Sequence, residues 1–132
     1  MRKPIALFAI LVASQAPLAG LIAQTAKPES VTVELSSFKF SPAALRLQHG
    51  RAYRLHLVNT SGSGHDFAAP EFFAASAIAA EDRALVAGGK VKLAARQSVD
   101  VTLTPEKAGS YALRCSHFLH STMGMSGTIT VE

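Results

Sequence analysis

The chain has 132 residues, of which 48% are hydrophobic and 17% are charged. This length and composition predict one globular domain with a packed core. Its 13 Lys and Arg residues and 9 Asp and Glu residues give a net charge of +4. The basic residues are dispersed, and so small an excess argues against nucleic acid or an anionic membrane surface as a partner.

The N-terminus has the pattern of a secretory signal peptide. Arg2 and Lys3 precede an apolar stretch, residues 5–12, and further apolar residues follow up to Ala23. A membrane anchor is the alternative interpretation. Two prolines and a Ser-Gln pair interrupt the stretch, however, and it lacks the roughly 20 uninterrupted apolar residues of a membrane span. The pattern therefore favours a cleaved signal.

Cleavage of this segment defines the predicted mature chain. We predict residues 1–23 to be the signal peptide and residues 24–132 to form a single domain. Cleavage after Ala26 is the second candidate, because no strict Ala-x-Ala site is present. Without Arg2 and Lys3, 11 of the 13 basic residues remain against 9 acidic ones, a net charge of +2. We expect the mature protein to be periplasmic and not inserted in the membrane.

Hydrophobic and polar residues alternate along most of the predicted mature chain. A period of two is typical of β-strands with one buried face. Turn-forming residues, mainly Gly, Pro and Ser, separate the alternating segments. These segments are residues 31–35, 45–48, 53–57, 99–104, 111–115 and 129–131. Many short strands with this spacing predict an all-β sandwich.

One segment breaks the alternation. Residues 70–87 are rich in alanine, and Phe72, Phe73 and Ile78 lie at a roughly helical spacing. We predict a short helix over residues 71–80, inserted between strands. We expect its phenylalanines to pack on the edge of the sandwich rather than to line a ligand pocket.

Three side chains that bind metals follow one another near the C-terminus. Cys115, His120 and Met125 lie five residues apart. Thiolate and thioether are soft ligands, imidazole suits copper, and a His₂Cys site with a weak axial Met holds an electron-transfer copper. The second histidine must come from elsewhere, and we predict His65, which follows the Gly-rich turn at 61–64.

Cys115 is the only cysteine, so it has no disulfide partner within the chain. A small buried hydrophobic residue is the alternative interpretation, because free cysteines are commonly buried. In an exported protein, however, a lone thiol is exposed to oxidation, and binding to a metal would protect it. The histidine and methionine at loop spacing favour the metal interpretation.

Two histidines compete for the position after the cysteine. A Cys-x-His spacing would place His117 close to the strand and leave little room for a loop. The Cys-x₄-His spacing leaves four residues for a turn that brings His120 back to the metal. We therefore predict His120 as the ligand and His117 as an exposed or loop-bonded residue. His49 and His56 are predicted to be surface histidines.

Two methionines also compete. Met125 lies closest to the final strand and would be held in place by it. We expect Met123 to contribute to an apolar surface patch with Phe118 and Leu119. We predict Met125 as the axial ligand.

With these residues the chain resembles the cupredoxins, the blue-copper family of plastocyanin, pseudoazurin and azurin. The resemblance covers residues 31–132 and is strongest between residues 109 and 127, while residues 59–67 resemble the first-histidine loop of the family. It implies a Greek-key β-sandwich with one type-1 copper that cycles between Cu(I) and Cu(II). Carried over by position, the implied ligands are His65, Cys115, His120 and Met125.

The sequence departs from the family pattern at three places. Asp66 follows the first histidine where small redox carriers often have Asn or Ser. Arg114 precedes the cysteine where plastocyanin has an aromatic residue. The alanine-rich insertion is not typical of the smallest members. These departures lie outside the four implied ligands and do not disturb the implied copper site.

The expected function is that of a monomeric periplasmic electron carrier that exchanges single electrons with redox partner proteins. The alternative is a copper chaperone or a copper-resistance binding protein, in which His117 and Met123 accept or pass on Cu(I). A copper enzyme is disfavoured, because multicopper oxidases flank the type-1 cysteine with histidines that bind further copper. Arg114 and Ser116 occupy those positions here.

Overall fold

The structure is a computed structural model that describes residues 26–117, 119–120 and 122–132. The predicted signal peptide, residues 1–23, lies outside these residues and stays a prediction. Phe118, expected in an apolar surface patch, also lies outside them. Within the described ranges, no helix is both long enough and apolar enough to span a membrane.

Ten strands in the described part of the chain form two five-stranded sheets, and six of these strands coincide with the alternating segments predicted from the sequence. The first sheet has the order β2-β1-β4-β8-β6 and the second the order β3-β10-β9-β5-β7. The strands of the first sheet are β1 Glu29–Ser36, β2 Lys39–Ser41, β4 Tyr53–Asn59, β6 Ser76–Ile78 and β8 Ser98–Pro105. Those of the second are β3 Ala44–Leu47, β5 His65–Ala68, β7 Lys90–Leu93, β9 Gly109–Arg114 and β10 Ser126–Val131.

The chain crosses between the sheets repeatedly, which gives the predicted Greek-key sandwich. Two neighbouring pairs are parallel, β1 with β4 and β3 with β10, and the remaining paired strands are antiparallel. An antiparallel pair can be joined by a short turn, as β1 and β2 are, whereas a parallel pair needs a longer connection through another part of the fold.

The hydrophobic core lies between the two sheets. In β4, Leu55 and Leu57 are fully buried, whereas Arg54 and His56, which alternate with them along the strand, lie on the outer side. Complete burial of one such leucine contributes about 1.5–3 kcal/mol to folding. Phe67 of β5 packs edge-on against neighbouring phenylalanines in the same core.

The alanine-rich insertion contains less helix than the sequence predicts. Of the predicted helix over 71–80, only α1, Pro70–Ala74, is helical, and Ser76–Ile78 forms the edge strand β6 on β8. A 3₁₀ helix follows over Ala80–Leu85. The edge of β8 offers hydrogen-bond partners to the backbone of β6, and this long-range pairing outweighs the local helix propensity of alanine. The phenylalanines of α1 are buried against the sandwich, as predicted.

Three strands of the second sheet determine where the candidate metal ligands lie. β9 pairs with β10 on one side and with β5 on the other. Ala68 of β5 lies opposite Arg114, the last residue of β9. Because β5 and β9 are antiparallel, His65 at the start of β5 lies beyond the end of β9, beside the loop that joins β9 to β10. One end of the sheet therefore holds both the loop and His65.

Candidate metal centre

The side chains of His65, Cys115 and His120 converge at this end of the second sheet. The thiol sulfur of Cys115 lies 3.8 Å from Nδ1 of His65 and 3.5 Å from Nδ1 of His120. Their three ligand atoms all lie within 4.8 Å of one another, a separation that a single metal ion can bridge. His65 and Cys115 are completely buried, whereas His120 is partly exposed.

Met125 is the fourth predicted ligand, and its side chain is also completely buried. The N–H of Met125 donates to the carbonyl oxygen of His120 at 3.0 Å, and its own carbonyl accepts from the N–H of Cys115 at 3.1 Å. β10 begins at the next residue, so the sheet holds the methionine backbone in place. Met123, the competing methionine, is 58% exposed.

His117 lies beside the cluster but does not join it. Its ring stacks on that of His120, with centroids 5.3 Å apart and planes 15° from parallel. The ring centroid of His117 is 6.3 Å from that of His65, compared with 4.9 Å for His120. The structure therefore brings His120 and not His117 into the donor set. Phe38 packs edge-on against the His120 ring and limits its movement.

The loop that carries His65 is fixed by Asn59, which sequence reasoning missed. The side chain of Asn59 is 1% exposed, and its amide donates to the carbonyl oxygens of Ser63 and Ala94. Its side-chain oxygen accepts from the N–H and the hydroxyl of Ser61. The available signal was an asparagine at an inward-facing position of an alternating strand, directly before a Gly-rich turn.

Asp66, next to His65, is a second polar residue buried at the centre, with 1% exposure. Its carboxylate accepts hydrogen bonds from the N–H of Ser116, at 2.6 Å, and from the Ser116 hydroxyl. Lys90 of β7 donates to the same hydroxyl at 2.9 Å. The role of Lys90 was not predicted from the sequence, because only the register between β7 and β5 brings it to this position.

The electrostatic surroundings favour metal binding by His65. Burial lowers the pKa of His65, and the neighbouring His120 and His117 lower it further by repulsion between positive charges. The imidazole is therefore kept neutral, which is the form that binds metals.

Burial raises the pKa of the Cys115 thiol, because it removes the water that would stabilise the negative charge of the thiolate. The backbone N–H groups of Asp66 and His117 act in the opposite direction, since they donate hydrogen bonds to the sulfur. A metal cation at the cluster would shift the balance to the thiolate.

The chemistry of the donor set fits copper. Two imidazoles, one thiol and a buried thioether make up the His₂Cys arrangement with an axial Met that holds electron-transfer copper. Zinc sites take Cys, His and carboxylate ligands, and a buried thioether adds nothing to such a site. The residues therefore fit copper better than zinc.

Comparisons with known proteins agree with this fit. A family model described as a cupredoxin-like domain matches residues 4–131. No curated protein sequence matches the chain significantly.

Solved structures of auracyanins share the fold. An auracyanin B structure has a TM-score of 0.60 and 22% identity, and the match covers 80% of this chain and 91% of that chain. Auracyanin A, a blue copper protein from the green thermophilic photosynthetic bacterium Chloroflexus aurantiacus, has a TM-score of 0.58 and 16% identity over 80% and 100% of the two chains. Dithionite-reduced auracyanin from the photosynthetic bacterium Roseiflexus castenholzii has a TM-score of 0.58 and 16% identity over 78% and 96%.

Proposed function

Because the chain belongs to the family of cupredoxin-like domains and has copper as its cofactor, we propose that it is a type-1 copper protein that shuttles single electrons between redox partner proteins. The observation that carries this proposal is the convergence of the His65, Cys115 and His120 side chains. The buried Met125 lies in the same loop as Cys115 and His120. When bound, copper supplies the Cu(I)/Cu(II) couple.

The chain's own contribution is to hold the four donors in one arrangement. His65 is the first residue of β5, Cys115 directly follows β9, and Met125 directly precedes β10. Side chains anchored at strand ends have little freedom to move when the charge at the site changes. A small rearrangement on gain or loss of an electron keeps the reorganisation cost low, which favours fast electron transfer.

His120 supplies the route to a partner. It is the one partly exposed side chain among the four proposed ligands. Two exposed apolar side chains lie in the same loop, Leu119 at 53% and Met123 at 58% exposure. An apolar surface around an exposed ligand lets a partner protein approach the site closely and exclude water.

The proposed function includes a cellular location and an oligomeric state. The basic and apolar pattern of residues 1–23 supports export to the periplasm. We propose that the protein acts as a monomer. We also propose that it is not an enzyme, since Arg114 and Ser116 flank Cys115 in place of the histidines that would bind further copper.

A copper chaperone or copper-resistance protein is the second candidate function. It is supported by the exposed His117, stacked on His120, and by the exposed Met123. Imidazole and thioether groups at the surface of a copper site would help to pass Cu(I) to another protein.

The decisive experiment adds Cu(II) to the protein lacking residues 1–23 and records the visible absorption spectrum and a voltammogram. The proposal predicts an intense charge-transfer band from the Cys115 thiolate and a reversible one-electron couple. In Cys115→Ser the band should be absent, although the variant still folds by circular dichroism. A parent protein that binds Cu(II) without colour would contradict a type-1 site. Rapid loss of Cu(I) to a metal-free acceptor, faster than electron exchange, would favour the chaperone.

A further inference from the structure

Asp66 is a buried carboxylate next to a proposed ligand. It lies on β5 with 1% exposure, directly after His65. A carboxylate is costly to bury unless hydrogen bonds or opposite charges compensate it. The contacts of Asp66 therefore indicate what this charge does at the site.

Its first contact joins the two segments that carry the buried His65 and Cys115 ligands. The carboxylate accepts both the N–H and the hydroxyl of Ser116, which follows Cys115 and is 50 residues away in sequence. Hydrogen bonds to an ionised acceptor are about twice as strong as neutral ones. This pair of bonds fixes the Cys115 segment against β5.

Its second contact is electrostatic. Nζ of Lys90 lies 3.9 Å from the carboxylate and donates to the Ser116 hydroxyl at 2.9 Å, so the hydroxyl lies between the two charges. The lysine side chain is 32% exposed, whereas that of Asp66 is 2% exposed. Nε2 of His117 also lies 3.9 Å from the carboxylate. Water screens the charge of Lys90 more than that of Asp66, so the negative charge is only partly offset at the site.

We propose that Asp66 is a positioning residue that clamps Ser116 and, through its negative charge, favours Cu(II) over Cu(I), with Lys90 acting in the opposite direction. This inference rests on the proposed function, since it concerns the couple of the same site. The oxidised site carries one more positive charge than the reduced site. A nearby buried anion therefore lowers the reduction potential and a nearby cation raises it.

Two substitutions separate charge from structure. Asp66→Asn removes the charge but keeps an oxygen that accepts the Ser116 N–H. Lys90→Met removes the cation and keeps a long side chain of similar shape. Lys92→Met is the matched control, because Lys92 carries the same charge on the same strand and is exposed, and among the described residues it forms no ion pair with Asp66, unlike Lys90.

Voltammetry of the copper-loaded variants tests the charge. Asp66→Asn should raise the potential, with the ratio of Cu(I) to Cu(II) affinity increasing on the order of tenfold, or about 59 mV for a one-electron couple. Lys90→Met should lower the potential by a smaller amount. The double variant should lie between the two single variants, and Lys92→Met should stay close to the parent protein.

Amide hydrogen exchange in the metal-free protein tests the clamp without copper. The Ser116 N–H should exchange slowly in the parent and in Asp66→Asn. In Asp66→Ala it should exchange at least about tenfold faster, because the acceptor is lost. Exchange in the strands β4 and β8, which belong to the other sheet, shows whether the variant is folded.

If the reduction potential shifted in the same direction in Asp66→Asn and Lys90→Met, both substitutions would merely disturb the site, and the charge role would be overturned. An unchanged reduction potential in Asp66→Asn would overturn it too. Unchanged exchange at Ser116 in Asp66→Ala would overturn the clamp. A parent protein without a blue copper couple would overturn the proposed function and the charge role with it, while the exchange experiment would still decide the clamp.

Discussion

The backbone N–H of Cys115 donates to the carbonyl oxygen of Met125, at 3.1 Å. This bond continues the pairing of β9 with β10 by one step, since Arg114 lies opposite Ser126. The residues between form one loop, closed at its base by the cysteine and the methionine. The backbone carbonyl oxygen of His120, halfway round the loop, accepts a hydrogen bond from the N–H of Met125. Three proposed ligands thus belong to one short, internally bonded segment.

Substitution of the two neighbouring histidines should have different effects. His120→Ala should remove or strongly change the charge-transfer band of the Cu(II) protein, because Nδ1 of His120 lies 3.5 Å from the thiol sulfur. His117→Ala should leave the band largely intact, because this ring stacks outside the donor cluster. Visible absorption and electron paramagnetic resonance spectra of both variants check this. The reverse pattern would reassign the ligand to His117.

Copper uptake by the metal-free protein should strengthen as pH rises. Burial raises the pKa of Cys115, so the thiol is protonated at neutral pH, and binding must displace its proton. The apparent association constant for Cu(II) should therefore rise about tenfold per pH unit below the thiol pKa. Burial lowers the pKa of His65. A proton on this imidazole therefore competes with Cu(II), and makes the association constant depend more steeply on pH, only in solution more acid than the usual pKa of histidine.

Competition titrations with a chelator of known pH dependence measure this slope in the parent. Cys115→Ser, which has no thiol to deprotonate, is the control and should show a flatter dependence across neutral pH. An association constant independent of pH in the parent would mean that the thiolate is already formed without metal.

Asn59→Ala should destabilise the metal-free protein and loosen the His65 loop. The substitution removes the donor to the partly buried carbonyl oxygens of Ser63 and Ala94 and the acceptor of the Ser61 N–H, at a cost of about 1–3 kcal/mol. Thermal or denaturant unfolding measures the loss. Thr60→Ala is the matched control, since its hydroxyl bonds at the surface to Glu34 and should cost well under 1 kcal/mol. Equal losses in the two variants would contradict the anchoring role of Asn59.

The sequence predicted those features that depend on local pattern. The period of two located six of the ten described strands, and the spacing of Cys115, His120 and Met125 predicted that they share one loop, because a hairpin loop keeps near neighbours together. The sheet edge at β6 was missed, since alanine-rich segments favour helix locally and only the position of β8 makes pairing available. The contact of Lys90 with Ser116 was missed for the same reason, as it depends on the register of β7 against β5.

The final prediction is that Met125 tunes the copper site more than it anchors it. An axial thioether binds weakly and at long range, while His65, Cys115 and His120 supply the strong ligands. A soft sulfur donor favours Cu(I). Met125→Gln should replace it with a harder oxygen donor, favour Cu(II) and lower the reduction potential, while copper still binds.

Met123→Gln is the matched control, because it makes the same substitution two residues away. The Met123 side chain is 58% exposed, whereas that of Met125 is fully buried. Its potential should change much less. Voltammetry of both variants beside the parent protein measures the two shifts, and absorption spectra confirm that each retains copper. A large drop for the Met123 variant with none for the Met125 variant would transfer the axial role to Met123. Loss of copper from Met125→Gln would instead show that the thioether is needed to hold the metal.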